Sequence, residues 1–451
     1  MFEIEILNPL ECRIKPTLAS IIRPVVSYTA VAYIQGQYKK IRKEYRKSSM
    51  SKDDNYYYFY TGLLPKILAF CNQKNIQVSL KGKEEKLNFT GYSLKTISFR
   101  EEQTRLIDAA LTNQRGVLKA ITGLGKTLLG LAIVSAFPEH KTLWLCHTKD
   151  LMYQSGKVAE KELGIKVGYI GDSQCDLSSS LTIATRQSFS KIAEEQGYLY
   201  DIIIIDECHH ISKLDSEYAT IMKNVIAPVR IGLTATLPSS EESLLAIESF
   251  LGPIIDEVSI EEGQSREIVA KIKIKFLKVP ISHKIKEIKK YQDVYEYGVV
   301  KRFEAHKLIA DEVVNQTSKN KSVLILVSRI EHGELLATEI KNAGVNVFFA
   351  NGETETIVRT KAKDALNNKN ILCVIATTIF REGINLPELD VIINAAGGKS
   401  EIGTLQAIGR GLRLTETKKE LLLVDIIDLS NRYLVEHLAE RLFIYSENNW
   451  L

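Results

Sequence analysis

Two short segments constrain this chain more than anything else in it. Residues 120–127 read Ala120-Ile121-Thr122-Gly123-Leu124-Gly125-Lys126-Thr127, and farther on the chain reads Asp206-Glu207-Cys208-His209. The first has the spacing of a phosphate-binding loop. Gly123 and Gly125, with Thr122 beside them, allow a tight turn that aims backbone N–H groups inward. Lys126 is expected to reach the β- and γ-phosphates, and the Thr127 hydroxyl to hold Mg²⁺. A strand predicted over 116–120 and a helix over 127–137 give the loop the context it needs, and the helix adds its positive dipole end. Asp206 closes the apolar run 202–205, which reads as a buried parallel strand. Such a strand delivers the Asp206 carboxylate to a metal, and Glu207 can orient or deprotonate an attacking water. The cofactors expected are therefore ATP and Mg²⁺.

Composition sets outer bounds. The 451 residues suffice for about three domains. Apolar content of 45% and charged content of 25% are those of an ordinary globular protein. The chain has no apolar run near the ~18 residues of a membrane span, and its acidic, alternating start argues against a signal peptide. Six cysteines without a C-x-x-C pair fit a reducing cytoplasm better than a disulfide framework or a zinc site. Charge is unevenly placed. Residues 1–95 hold 16 Lys/Arg against 8 Asp/Glu, whereas the remainder holds 43 against 47. A basic module appended to a nearly neutral body suggests nucleic acid as a partner.

The pattern along the chain predicts three parts. Residues 1–92 read as a small basic α+β domain, with strand-like alternation near the start and at Tyr56-Tyr57-Tyr58-Phe59-Tyr60, then a helix to about residue 73. Residues 93–260 alternate strand and helix, with strands expected over 141–148, 167–170, 181–185, 202–206 and 231–234. Residues 261–451 repeat the alternation after a charged connector spanning about 253–303, with strands over 323–328, 345–350, 372–376, 391–395 and 421–425. Alternation of this kind implies parallel sheets covered by helices, with ligands at the carboxyl ends of the strands.

The order of motifs is similar to that of the superfamily 2 DExH helicases, over roughly the last 350 residues. That resemblance implies two RecA-like lobes. Phe99-Arg100-Glu101-Glu102-Gln103 resembles the adenine-reading segment, with Gln103 on the base. The run from Leu145 to Leu151, containing His147 and Thr148, resembles the first nucleic-acid contact motif. The run from Thr182 to Ser188, containing Thr185, Arg186 and Gln187, resembles the second. Leu233-Thr234-Ala235-Thr236 is similar to the motif coupling hydrolysis to lobe movement, and His209 is implied to share that role with Thr234 and Thr236. Ser328 and Arg329 stand where the second lobe grips a strand. Thr377, Thr378 and Gly383 fall in the motif touching nucleic acid and nucleotide. Gln406, Arg410 and Arg413 match the arginine-finger motif; three residues apart on a helix, the two arginines share a face. An arginine supplied this way can accelerate hydrolysis ~10³–10⁵-fold.

Within the superfamily the chain most resembles the UvsW-type phage helicases, which remodel forks and drive branch migration. A chain of this kind from a T5-like phage would act in the host cytoplasm, as a monomer, on DNA forks and four-way junctions. The segment Tyr38-Lys39-Lys40-Ile41-Arg42-Lys43-Glu44-Tyr45-Arg46-Lys47 admits two readings. As a helix it presents a solvated charged face. Alternatively Lys39, Lys40, Arg42 and Lys43 track phosphates while tyrosines stack on bases, and this reading is preferred. His210 is expected to be a neighbour without a role, Cys208 to serve packing only, and Lys301-Arg302 to be solvated. An RNA-directed ATPase, a nucleotide-gated binding protein and the motor subunit of a larger complex are the rivals.

Overall fold

The structure is a computed structural model describing residues 2–35, 40–377, 386, 388–398 and 418–451. Residues Met1–Ala120 and Gly125–Val258 pack as one unit; Ile121–Leu124 and Ser259–Leu451 pack as another.

Strands of the amino-terminal module are β1 (Phe2–Ile6), β2 (Glu11–Ile14), β3 (Ser27–Gln35), β4 (Lys40–Ser48), β5 (Ser51–Lys52), β6 (Tyr57–Tyr60) and β7 (Val78–Lys81). Five of these form a sheet in the order β5-β6-β2-β1-β7, and β3 and β4 pair separately as an antiparallel hairpin. Over residues 40–47 the basic segment is thus a strand, and the helical reading is corrected there. It lacks the apolar periodicity that would give a helix a buried stripe, and its partner strand supplies the backbone hydrogen bonds. Alternation then places Lys43, Tyr45 and Lys47 on one face and Glu44 and Arg46 on the other. The tyrosine run is mostly structural. Phe59 is buried, Tyr60 packs its ring 4.8 Å from Phe250, and the Tyr58 hydroxyl donates to Asp53 at 2.5 Å.

The module is docked on the helix Glu241–Leu251 of the same unit. Gly62 lies so close that a Cβ there would stand 2.1 Å from the Glu248 carbonyl oxygen. Lys66 pairs with Glu248 at 2.5 Å, and Arg46 pairs with Glu241 at 2.9 Å, beside the Thr29 N–H donating to the same oxygen. The Arg115 guanidinium donates to the Pro9 carbonyl. Residue 92 therefore marks no break in packing.

The second set of strands is β8 (Arg115–Ala120), β9 (Thr142–Cys146), β10 (Val167–Gly171), β11 (Gln174–Cys175), β12 (Leu181–Thr185), β13 (Ile202–Asp206), β14 (Val229–Thr234) and β15 (Ile254–Val258). Among the described residues they form one sheet, ordered β11-β10-β12-β9-β13-β14-β8-β15, parallel apart from the β10–β11 pair. The central strands β9, β12, β13 and β14 are buried along their whole length, so even their polar positions, Thr142, Thr182, Thr185 and Arg230 among them, lie inside.

The second unit carries β16 (Lys271–Lys278), β17 (Val323–Leu326), β18 (Val347–Ala350), β19 (Cys373–Ala376), β20 (Val391–Asn394) and β21 (Glu420–Ile427), ordered β16-β21-β20-β17-β19-β18 and all parallel. The connector reading is corrected here: it supplies β15 to one sheet and β16 to the other. β16 is an edge strand, and its Lys-Ile-Lys-Ile-Lys alternation matches one solvated face. Arg302 also departs from expectation. It is buried, paired with Asp428 at 3.2 Å and with Glu304 at 2.9 Å. Lys301 pairs with Glu296 at 2.5 Å and with Glu331 at 3.0 Å.

Candidate active site

Register places the motifs at one edge of the eight-stranded sheet. Leu233 of β14 lies opposite Asp206 of β13 and Leu118 of β8, and Ile205 lies opposite Leu145 of β9. Every segment that follows these strands therefore emerges at the same carboxyl edge, where open parallel sheets bind ligands.

After β8 the chain turns through Gly123 at φ +98° and Gly125 at φ +86°, then enters the helix Lys126–Ser135. These are left-handed conformations that an L side chain adopts only with strain. A Cβ on Gly125 would also come within 3.3 Å of the Gln103 amide nitrogen. Gln103 accepts a hydrogen bond from the Arg100 N–H at 2.9 Å, closing a capping box at the start of the helix Glu101–Asn113. That bond fixes the carboxamide and leaves its nitrogen beside the loop. Thr122 and Thr127 are half-buried on either side of the two glycines.

Lys126 Nζ stands 3.2 Å from Glu207 Oε1, joining the two sequence motifs. Glu207 itself has φ +53° and ψ +53°, a left-handed conformation for a non-glycine residue. Burial raises the Glu207 pKa, but Lys126 and His209 outweigh it and hold the carboxylate well below the usual range. Asp206 behaves oppositely: burial, then the neighbouring Glu207 charge, push its carboxyl well above the usual carboxylate range against the pull of Lys126. A nearly fully buried carboxyl of this kind fits a divalent cation, which would supply the counter-charge that Lys126 alone does not. Mg²⁺ is held by one or two carboxylates with phosphate and hydroxyl oxygens, so Asp206 and Thr127 form an adequate donor set.

His209 Nδ1 lies 3.0 Å from Thr234 Oγ1 and 3.4 Å from Glu207 Oε2. The Thr234 hydroxyl donates to the Thr236 carbonyl at 2.6 Å and accepts from the Thr236 N–H at 3.2 Å. With its one proton committed, Thr234 accepts from His209, which places the imidazole proton on Nδ1. Cys208 is buried against Gly232, and burial raises its thiol pKa, so packing is its role.

The expected nucleic-acid residues divide. Thr148 caps the helix Lys149–Leu163, accepting from the Leu151 N–H at 3.3 Å. Thr185 is buried and bonded to Ser188 at 3.0 Å, Arg186 pairs with Glu217 at 2.9 Å, and Gln187 is exposed. In the second unit Ser328 is exposed, Arg329 pairs with Glu296 at 2.5 Å, and Thr377 is buried. Lys40 and Arg42 lie on β4, and Lys43 is exposed. Lys39, Thr378, Gly383, Gln406, Arg410 and Arg413 lie outside the described residues. His210, expected to be a neighbour without a role, stacks its ring on His147 with centroids 3.7 Å apart and planes 7° from parallel.

Comparison with known proteins gives two family matches: "Type III restriction enzyme, res subunit" over residues 96–239, and "Helicase conserved C-terminal domain" over residues 304–415. The chain is 29% identical over 366 residues to the DNA 3'-5' translocase XPB2 of Sulfurisphaera tokodaii, covering 73% of this chain and 82% of that protein. It is 26% identical over 376 residues to the ATP-dependent DNA helicase uvsW of Enterobacteria phage T4, covering 75% of this chain and 73% of that protein. Among solved structures, the fold is similar to that of the ATP-dependent Type ISP restriction-modification enzyme LlaBIII bound to DNA, with TM-score 0.59 and 18% identity over 78% of this chain and 30% of that one.

Proposed function

We propose, on the premise that the chain belongs to the superfamily 2 helicases, that it is an ATP-driven DNA translocase and helicase that remodels branched DNA. The observation carrying this reading is the meeting of Lys126 with Glu207, and of Glu207 and Thr234 with His209. One cluster would thereby join the phosphate-binding lysine, the water-activating carboxylate and the motif at the end of β14.

ATP would bind with its base against Gln103 and its phosphates against the loop 122–127. Lys126 would leave Glu207 for the phosphates, freeing that carboxylate to accept a proton from the attacking water. Thr127 and Asp206 would hold Mg²⁺, which would supply positive charge against the phosphates. Gln406, Arg410 and Arg413 are proposed to stabilise charge at the γ-phosphate. His147, Thr185, Gln187, Ser328 and Thr377 are proposed to contact the DNA backbone, with Thr148, Arg186, Arg329 and Thr378 beside them. Residues 1–92 would recognise a fork or four-way junction, residues 93–260 would form the nucleotide lobe, and residues 261–451 the connector and second lobe. The protein is proposed to act as a monomer in the cytoplasm.

The test is the ATPase rate measured without nucleic acid and with single strand, blunt duplex, fork and four-way junction, each as DNA and as RNA. Strongest stimulation by forked or four-way DNA supports the proposal. Equal or stronger stimulation by RNA sinks it and favours an RNA-directed ATPase.

A further inference from the structure

We infer that His210 is a positioning residue that transmits the state of the nucleotide site to the segment beginning at His147. The inference rests on the proposed function in one respect: it takes that segment as a nucleic-acid contact.

The topology brings the two places together. β13 and β9 are adjacent and parallel, so the residues that follow them emerge side by side. After Glu207 a single 3-10 turn, Cys208–His210, presents two consecutive imidazoles to different neighbours. His209 addresses Glu207 and Thr234 at 3.4 and 3.0 Å. His210 addresses His147, face to face at 3.7 Å. The His209 and His210 rings are themselves 4.3 Å apart, so a row of three imidazoles joins the Lys126–Glu207 pair to His147. The next residue, Thr148, caps the helix Lys149–Leu163, so a displacement of His147 acts directly on a helix end.

Two features make this row a conveyor rather than incidental packing. Its origin is a left-handed non-glycine residue, a backbone state held only where the surroundings over-determine it. Its far end is a near-parallel ring contact, which a small rotation of either ring would forfeit. When Lys126 turns from Glu207 to a phosphate, the carboxylate loses a partner and the turn it anchors has to readjust. The contact of His209 with Thr234 leads from that turn to the segment after β14. The stack of His210 on His147 is a second branch, leading to the segment after β9.

The experiment uses the full chain with His210→Ala, His210→Gln and His210→Phe. Steady-state ATPase is measured with and without forked DNA, and DNA affinity by fluorescence anisotropy without nucleotide. His210→Ala and His210→Gln are expected to keep the DNA-independent rate and the DNA affinity but lose about fivefold or more of the DNA-stimulated kcat. His210→Phe, which keeps a flat ring, is expected to recover most of it. Full stimulation in both ringless variants overturns the inference. So does a proportional fall of the DNA-independent rate that phenylalanine fails to rescue, because the turn would then need His210 only for its own shape. Should the unsubstituted protein respond to no nucleic acid, the functional reading fails and this inference falls with it.

Discussion

Acid titration of His332 gives a quantitative test of the second unit. His332 lies on the helix Ile330–Asn342 with 1% of its surface exposed, its ring stacked 5.2 Å from His306. Burial, and secondarily the neighbouring His306, hold the imidazole down to about 3. In the unfolded chain it would titrate near ~6.5. The folded state thus refuses a proton that the unfolded chain accepts, so stability is intact above that value and declines as pH falls below it. The slope for one such group is about 1.4 kcal/mol per pH unit, or about 2 kcal/mol between pH 6.5 and 5. Carboxylates contribute little in that interval, because most are ionised in both states. His306, also lowered by burial, adds in the same direction, which is why the comparison is with His332→Leu. Of the two tryptophans, Trp144 is fully buried in the eight-stranded sheet and Trp450 packs 6.0 Å from Tyr445 in the second unit. In a Trp144→Phe background, urea unfolding followed by Trp450 fluorescence should show the midpoint falling by roughly 0.7–1 M between pH 6.5 and 5. His332→Leu should lose most of that fall. Equal pH dependence in the two proteins would refute the reasoning.

Three further outcomes are expected. Lys126→Ala should reduce phosphate release by roughly 10² or more while leaving DNA affinity within about twofold, because only the charge-neutralising contact is removed; a normal turnover rate would overturn the site assignment. Arg441→Met leaves the fully buried Asp425, paired with Arg441 at 2.7 Å, without its counter-charge although the Tyr445 hydroxyl still donates to it, so the second unit should lose about 3–5 kcal/mol in calorimetry or denaturant unfolding. Arg46→Ala removes only an exposed pair, so global stability should change little, yet amide exchange in the hairpin of β3 and β4 should quicken, because Arg46 ties it to Glu241 and to the Pro24 carbonyl.

Much of the lobe architecture was legible in the chain because fully buried strands are mostly apolar, β13 without a break until Asp206. β9, β12, β13 and β14 fall within a residue or two of their predicted spans. The nucleotide-site residues were legible for a different reason: phosphate geometry fixes their local spacing, so Gly123, Gly125 and Lys126 carry their meaning within four positions. Elements whose identity depends on a partner strand, near or far in the chain, were misread. The charged run 40–48 becomes a strand only beside β3, and 271–278 becomes one only beside β21.

Sequence alone thus determined which groups can bind a nucleotide, since their chemistry and local spacing suffice, and which segments must be buried. Tertiary structure decided which polar groups are spent on holding the protein together. Arg230 is fully buried with its guanidinium on the carbonyls of Met222, Val225 and Phe250, and Arg302 is buried on Asp428. It also decided that His210 meets His147. A side chain's partner is set by strand order, and strand order is a property of the whole sheet that short-range spacing does not encode.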